Sequence, residues 1–303
     1  MSAEYQPNDT RFLLGSDIID DIEPVKRDSP KTKVGRLNLR GRCGEQKVKV
    51  FEAHNAAHAR FIKHSSCQPE WETFLPQVLF VHEQFVVSEW VEGKPLFHPH
   101  LPFIRYRTSH MTRFLKDAGC ILGAFHDAPV TEDMSPGFDY VADFIHPRFV
   151  NACRVADRLD FISEVEQAQE RLLQKIGVAS CWSHPDLTPP NVIFDETGQM
   201  VVIDNELLGS TRFKFLDEMN LLYSLPGEVV KTYRPALKML MGQTLALLAL
   251  GLEEEVFSMW VMRRIGSYHA DGDSGKIRDF VDSDSDTRRK NIREWNLLAQ
   301  LRL

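Results

Sequence analysis

From Ser183 to Gly209 the chain runs SHPDLTPPNVIFDETGQMVVIDNELLG. One loop holds His184, Asp186 and Asn191; a short apolar run follows, then Asp195-Glu196-Thr197-Gly198, then a second apolar run ending at Asp204. Two apolar runs joined by such a turn predict a β-hairpin, with strands at 191–194 and 199–204 and Gly198 at positive φ. Antiparallel neighbours bring the entry of the first strand beside the exit of the second. Two carboxylates and an amide oxygen then face one small space. Hard oxygen donors of this kind suit Mg²⁺, which keeps waters and shares its shell with substrate phosphates. The plainer alternative is a hairpin whose polar ends only face solvent, and that has no need of three converging oxygen donors.

Around this hairpin the pattern changes along the chain. Short, partly alternating stretches at 21–27, 33–40 and 46–51 are separated by Asp28-Ser29-Pro30 and by the Gly41–Gly44 segment, which predicts an antiparallel meander. Residues 52–63, alanine-rich and without a breaker, suit a helix. Residues 77–82 and 85–91 predict two more strands with Glu83 and Gln84 turning between them. From Met111 to Phe125 apolar residues recur at three- and four-residue steps, the mark of an amphipathic helix. Further helices are expected at 162–176, 214–225, 228–252, 253–268 and 286–301. A strand-rich first part thus precedes a helix-rich second part, with the boundary near Gly93.

HPDLTPPNVIF and VVIDNELLG resemble the H-G-D-L-x-P-x-N and I-D-W-E-x-x-G signatures of the aminoglycoside phosphotransferase and choline kinase family, the small-molecule branch of the protein-kinase-like superfamily. Three other segments follow the family's order. FVVSEWVEG at 85–93 resembles its hinge strand, Leu122-Gly123-Ala124-Phe125-His126 the end of its first large-lobe helix, and Asp217 its later bracing aspartate.

The resemblance implies an α+β, protein-kinase-like two-lobe fold: a small antiparallel-sheet N-lobe (1–93, hinge 85–93) and a helical C-lobe (94–303) with an embedded catalytic hairpin. It implies transfer of the γ-phosphate of ATP, with Mg²⁺ as cofactor, to a hydroxyl of a small-molecule acceptor. Asp186 would be the catalytic base, and Asn191 and Asp204 the metal ligands. His184 would hold the loop by hydrogen bonds that Asp217 receives. Backbone groups of Glu89, Trp90 and Val91 would meet the adenine edge.

The phosphate-holding lysine is Lys49 or Lys47. They lie two apart on one strand, so both point to the same face, and the Val50-Phe51 after Lys49 favours Lys49, as in the family. The 52–63 helix carries no glutamate in its middle: His58 and Arg60 stand where the lysine's acidic partner belongs, leaving Glu70 or Glu72. Residues 28–32 join two strands without any glycine, so phosphates there would rest on Ser29, Thr32 or Lys31.

Composition narrows the remaining classes. The 303 residues carry a net charge of −7 with no block of lysines and arginines, so no nucleic-acid footprint is expected. The five cysteines are scattered without metal-site or redox spacing, as free thiols in a reducing cytoplasm would be. The N-terminal residues lack the order of a signal peptide. The apolar stretch 236–252 is interrupted by Lys238 and Gln243, fitting a buried helix and no membrane partner. Asp271-Gly272-Asp273 lacks the full calcium-loop spacing, and the acidic cluster near Asp286 suits a helix start. His54 and His58 share a helical face with no third metal ligand, and Trp182 and Phe194 read as core. Two rival functions stay open: a catalytically dead scaffold of the same fold, and a nucleotidyltransferase that moves AMP. The acceptor's identity and the oligomeric state stay open as well.

Overall fold

The computed structural model describes residues 12–14, 17–24, 38–69, 71–96, 108–128, 130, 136–177, 179–270 and 274–302. The glycine-free 28–32 segment, Glu70 and Asp271–Asp273 lie outside them.

The first strands, β1 (Phe12–Leu14), β2 (Asp17–Pro24), β3 (Asn38–Cys43) and β4 (Gln46–Glu52), are joined in sequence as a meander. The β3–β4 turn falls at Gly44, which takes φ +60°, and Gly41 belongs to β3. Helix α1 (Ala56–Ser65) follows, then the hairpin β5 (Val78–His82) and β6 (Phe85–Glu89). The sheet order is β1-β2-β3-β4-β6-β5. Alternation along β4 sends Val48 and Val50 into a core with Ile19, Leu39 and Val87, so Lys47 and Lys49 take the other face. Helix α1 starts later than expected, because Glu52 completes β4 and Asn55 supplies the N-cap, accepting from the His58 N–H at 2.9 Å.

Strand β7 (Lys94–Pro95) leaves this sheet and pairs with the hairpin β9 (Val192–Phe194) and β10 (Met200–Val202), in the order β10-β9-β7. Gly198 has φ +80° in the hairpin turn. A two-stranded ribbon, β8 (Cys181–Ser183) with β11 (Gly209–Thr211), flanks it. The helices are α2 (Thr108–Asp127), α3 (His146–Val155), α4 (Leu159–Ile176), α5 (Phe215–Ser224), α6 (Gly227–Thr232), α7 (Arg234–Leu240), α8 (Gly242–Ala249), α9 (Glu253–Ala270), α10 (Ser274–Asp282), α11 (Ser285–Asn291) and α12 (Arg293–Arg302). The result is a sheet N-lobe and a helical C-lobe with a catalytic-type hairpin embedded in it, a kinase-like fold.

Two long helices of the sequence reading divide. The 228–252 helix is α6, α7 and α8, because Pro235 stands in the first turn of α7 and Gly242 opens α8. The 286–301 helix breaks at Ile292, which is extended, and the cap of α11 is Asp284, whose carboxylate accepts from the Thr287 N–H at 2.8 Å. A π-helical turn, Tyr140–Ile145, and α3 behind it were not foreseen.

Trp182 is buried, and its ring packs on Trp71 (3.8 Å between centroids) and Phe61 (4.7 Å), while Trp71 meets Phe125 at 4.8 Å. This aromatic group lies directly under the loop that follows β8 and gives it a stiff floor. Phe194 is buried as well, so both aromatics are core.

Gly93 sits where the sheet passes to the hairpin. A Cβ there would run into the Phe194 carbonyl oxygen and come within 2.9 Å of its carbon and 3.1 Å of Asp195 Cα, all backbone atoms. Gly93→Ala is therefore expected to cost about 2 kcal/mol and lower Tm by several degrees. An unchanged melting curve would mean that this junction yields.

Candidate active site

The loop after β8 is shaped by its own hydrogen bonds. Leu187 N–H donates to the His184 carbonyl at 3.1 Å, and Pro189–Asn191 form a 3-10 turn. Two prolines set φ in that turn and present no N–H that would need a partner. Asn191 Nδ2 donates to the Asp186 carbonyl at 3.0 Å, and the Asn191 carbonyl accepts from Ile203 N–H at 2.8 Å. These two bonds tie the backbone of Asp186, Asn191 and the residue before Asp204 into one knot. All three side chains are half-buried. Asn191 Oδ1 takes no hydrogen bond among the described residues, which leaves it as a donor for a hard cation.

Below the knot lies Asp217, on α5 and 2% exposed. Its Oδ1 accepts from Ser183 Oγ at 2.8 Å; its Oδ2 accepts from His184 N–H and from His126 Nε2, both at 3.2 Å. Asp217 thus receives the His184 main chain, whereas the His184 ring goes elsewhere, its Nε2 lying 2.7 Å from Asn205 Oδ1. Asn205 Nδ2 donates to the Val202 carbonyl at 3.2 Å, so Oδ1 is the acceptor and the His184 proton sits on Nε2. His184 Nδ1 is buried with no hydrogen-bond partner among the described residues. Helix α5 is itself pinned by buried Glu218, which accepts from the Gln243 and Thr244 N–H groups and Thr244 Oγ1 at the start of α8. Burial raises the carboxyl pKa of Glu218, and those hydrogen bonds act against the shift.

Lys49 crosses from the sheet to the hairpin. Its Nζ lies 3.2 Å from the Ile203 carbonyl, 3.4 Å from Asp204 Oδ1 and 3.7 Å from Glu206 Oε1. Lys47 instead pairs at the surface with Glu92, both side chains 59% exposed against 12% for Lys49. The acids beside Lys49 are Asp204 and Glu206. Glu72 is exposed, on a turn bonded to Gln68. At the position expected for a helical glutamate, His58 is buried and stacks on Phe138 at 4.6 Å. Its Nδ1 accepts from His54 N–H at 3.0 Å and its Nε2 donates to the Leu208 carbonyl at 2.6 Å. Helix α1 thus docks on the segment after Asp204 through an imidazole. Among the described residues no group of three or more His, Cys, Asp or Glu side chains is arranged to hold a metal ion. Magnesium in phosphoryl-transfer sites needs only one or two carboxylates beside substrate phosphates, so the Asp204 and Asn191 oxygens fit such an ion.

At the hinge, Glu89 N–H donates to the Gln77 carbonyl at 2.9 Å and Trp90 N–H to the Lys47 carbonyl at 3.0 Å. Both donors are consumed within the protein. Val91 N–H has no partner among the described residues, which narrows the expected adenine contact to that group and to hinge carbonyls.

The structure also brings forward residues that sequence spacing did not single out. Glu206 and Asn205 stand in the stretch after Asp204, where an Asp-x-Glu spacing was available as a signal. Ser183 is masked by its short strand. Tyr140, beside Asp139, and Asn220, two residues after Glu218, belong to no motif of the catalytic loop.

The model of the phosphotransferase enzyme family matches residues 50–211, more than half of the chain. The chain belongs to this family. Solved structures with the same fold include an ethanolamine kinase of Plasmodium vivax (TM-score 0.52, 12% identity, covering 94% of this chain and 82% of that one). The choline kinase LicA of Streptococcus pneumoniae in complex with AMP is similar too (TM-score 0.51, 13% identity, 95% of this chain and 94% of that one). So is a choline kinase of Cryptosporidium parvum (TM-score 0.50, 10% identity, 94% and 92%). A comparison with curated proteins gives no match. Among the described residues no helix is long and apolar enough to cross a membrane.

Proposed function

We propose that the chain transfers the γ-phosphate of ATP to a hydroxyl group of a small molecule, with the nucleotide under the sheet lobe (1–93) and the acceptor against the helical lobe (94–303). The observation that carries this reading is Lys49. It spans the two lobes and places its ammonium beside the Asp204 carboxylate, as a charge that meets nucleotide phosphates must. Asp204 and Asn191 would hold Mg²⁺, which supplies neutralisation of phosphate charge. Asp186 accepts the proton of the acceptor hydroxyl, its backbone fixed by Asn191. His184 and Asp217 keep that loop in place, and Val91 N–H meets the adenine edge.

A small acceptor is favoured by the stretch between Asp204 and Asp217. Its twelve residues are taken up by β11, paired with β8, and by the run into α5. No segment remains there on which a peptide could dock.

The test is product analysis with labelled ATP, Mg²⁺ and separate metabolite and protein extracts, followed by kinetics of two lysine variants. A metabolite gaining a phosphate is expected, with kcat/KM for ATP falling at least tenfold in Lys49→Ala and less than twofold in Lys47→Ala. AMP on the product would replace the reading with nucleotidyl transfer. Label entering only proteins, or no transfer at all, would sink it, and the reverse order of the lysine variants would move the phosphate site to Lys47.

A further inference from the structure

Among the described residues two carboxylates lie within ion-pair distance of Lys49 Nζ, Asp204 Oδ1 at 3.4 Å and Glu206 Oε1 at 3.7 Å. With the Ile203 carbonyl at 3.2 Å, they all belong to the segment after β10. The sheet lobe brings no acid to this lysine. Helix α1, AAHARFIKHS, contains none. The glutamates of β4 and β6 are engaged elsewhere: Glu52 Oε1 accepts from Gln84 Nε2 at 2.8 Å, and Glu89 Oε1 from the Gln77 N–H at 2.9 Å. Glu92, just past the hinge strand, pairs with Lys47. The acids that orient Lys49 therefore come from the catalytic side.

Glu206 stands on a stretch held at both ends. Asn205 before it is fixed by His184 Nε2 at 2.7 Å and by the Val202 carbonyl at 3.2 Å. Leu208 N–H donates to the Asn205 carbonyl at 3.2 Å, which closes a turn around Glu206 and Leu207. Leu208 is fully buried, and its own carbonyl accepts from His58 Nε2 at 2.6 Å. Helix α1 thus contributes an imidazole that anchors the turn, where a carboxylate could have met the lysine directly. The Lys49 and Glu206 side chains are 12% and 10% exposed, so solvent and salt screen their attraction far less than that of the Lys47–Glu92 pair at the surface.

Asp204 and Glu206 do not do the same work. As a metal ligand Asp204 has its charge taken up by a dication, which itself repels an ammonium. Glu206 then supplies the counter-charge of Lys49. We propose that Glu206 is the positioning residue of Lys49, holding the ammonium toward the nucleotide phosphates while Asp204 serves the metal. This inference rests on the phosphotransferase reading.

The experiment uses the full chain as wild type, Lys49→Ala, Glu206→Gln and the double variant, with calorimetric titration of ATP at saturating Mg²⁺ and of adenosine. Glu206→Gln is expected to weaken ATP binding about tenfold when Lys49 is present, the loss of one charge-assisted contact, and less than twofold when Lys49 is absent. Adenosine has no phosphate for Lys49 to meet and should bind all four proteins within twofold, a control that a general disturbance of the fold does not pass. The Mg²⁺ concentration for half-maximal ATP binding should stay within threefold in Glu206→Gln. Equal loss of ATP binding with and without Lys49, no loss in either, or adenosine weakened as much as ATP overturns the proposal. A larger rise in the Mg²⁺ requirement overturns it too, by making Glu206 a metal ligand. Each of these results leaves the phosphotransferase reading standing. Absence of ATP binding in the wild type defeats that reading instead, and urea unfolding of the same four proteins then judges the pair itself. Non-additivity of threefold or more in the unfolding constant supports the Lys49–Glu206 contact, and additivity overturns it.

Discussion

Asp186→Asn is expected to lower kcat at least a hundredfold while nucleotide binding in the presence of Mg²⁺ stays within about twofold of wild type. The asymmetry follows from the geometry. Asn191 holds Asp186 through its main-chain carbonyl, at 3.0 Å, so changing the side chain leaves the knot of the loop intact. The nucleotide-side groups, Lys49 and Asp204, belong to other elements, the former on β4 and the latter beyond β10. What is lost is the capacity to orient the hydroxyl and take its proton, which an amide of the same shape cannot do; general-base removal typically costs a factor of about 10² to 10⁴. Steady-state kinetics together with nucleotide titration check both halves. A variant keeping more than about a tenth of wild-type kcat has lost under about 1.4 kcal/mol of transition-state stabilisation, too little for the role assigned to Asp186.

The residues of this prediction were legible because they lie close together in the chain. A loop and a hairpin can deliver Asp186, Asn191 and Asp204 within 19 residues, and the spacing of polar residues around two apolar runs carries that geometry directly. Asp217 and His126 were legible through the family resemblance, and the Lys49 side of β4 through period-two alternation. Other parts had no periodic signal to give. Strands β8 and β11 are three residues long, too short to alternate, yet they hold Ser183 and anchor the π-helical turn. The 228–252 stretch kept its apolar content across Pro235 and Gly242, and the breakers outweigh it because proline forfeits a helical hydrogen bond. Tyr140 and Asn220 come from distant segments, and only tertiary packing brings the Asn220 amide to the Tyr140 phenol.

The largest expected loss of stability is at Asp217. Its carboxylate gathers a hydroxyl, a main-chain N–H and an imidazole from two elements, β8 with its following loop and the end of α2, and it does so nearly out of reach of water. In Asp217→Ala those three donors lose their acceptor while staying buried, at about 1–3 kcal/mol for each group left unsatisfied. A total of about 3–5 kcal/mol, the range for breaking a buried charged network, is expected in chemical denaturation, together with loss of turnover as the loop loses its register. Asp217→Asn should cost less, because its amide oxygen still serves Ser183 and its NH₂ can donate to a re-tautomerised His126. The His184 N–H then faces a donor, and no tautomer relieves that clash. Ser183→Ala removes a single bond and leaves Asp217 with two partners among the described residues, so about 1 kcal/mol is expected. The order Asp217→Ala, Asp217→Asn, Ser183→Ala is the discriminating result. It separates a brace acting through several donors at once from an aspartate that merely fills space, for which the alanine and asparagine variants would unfold at the same denaturant concentration.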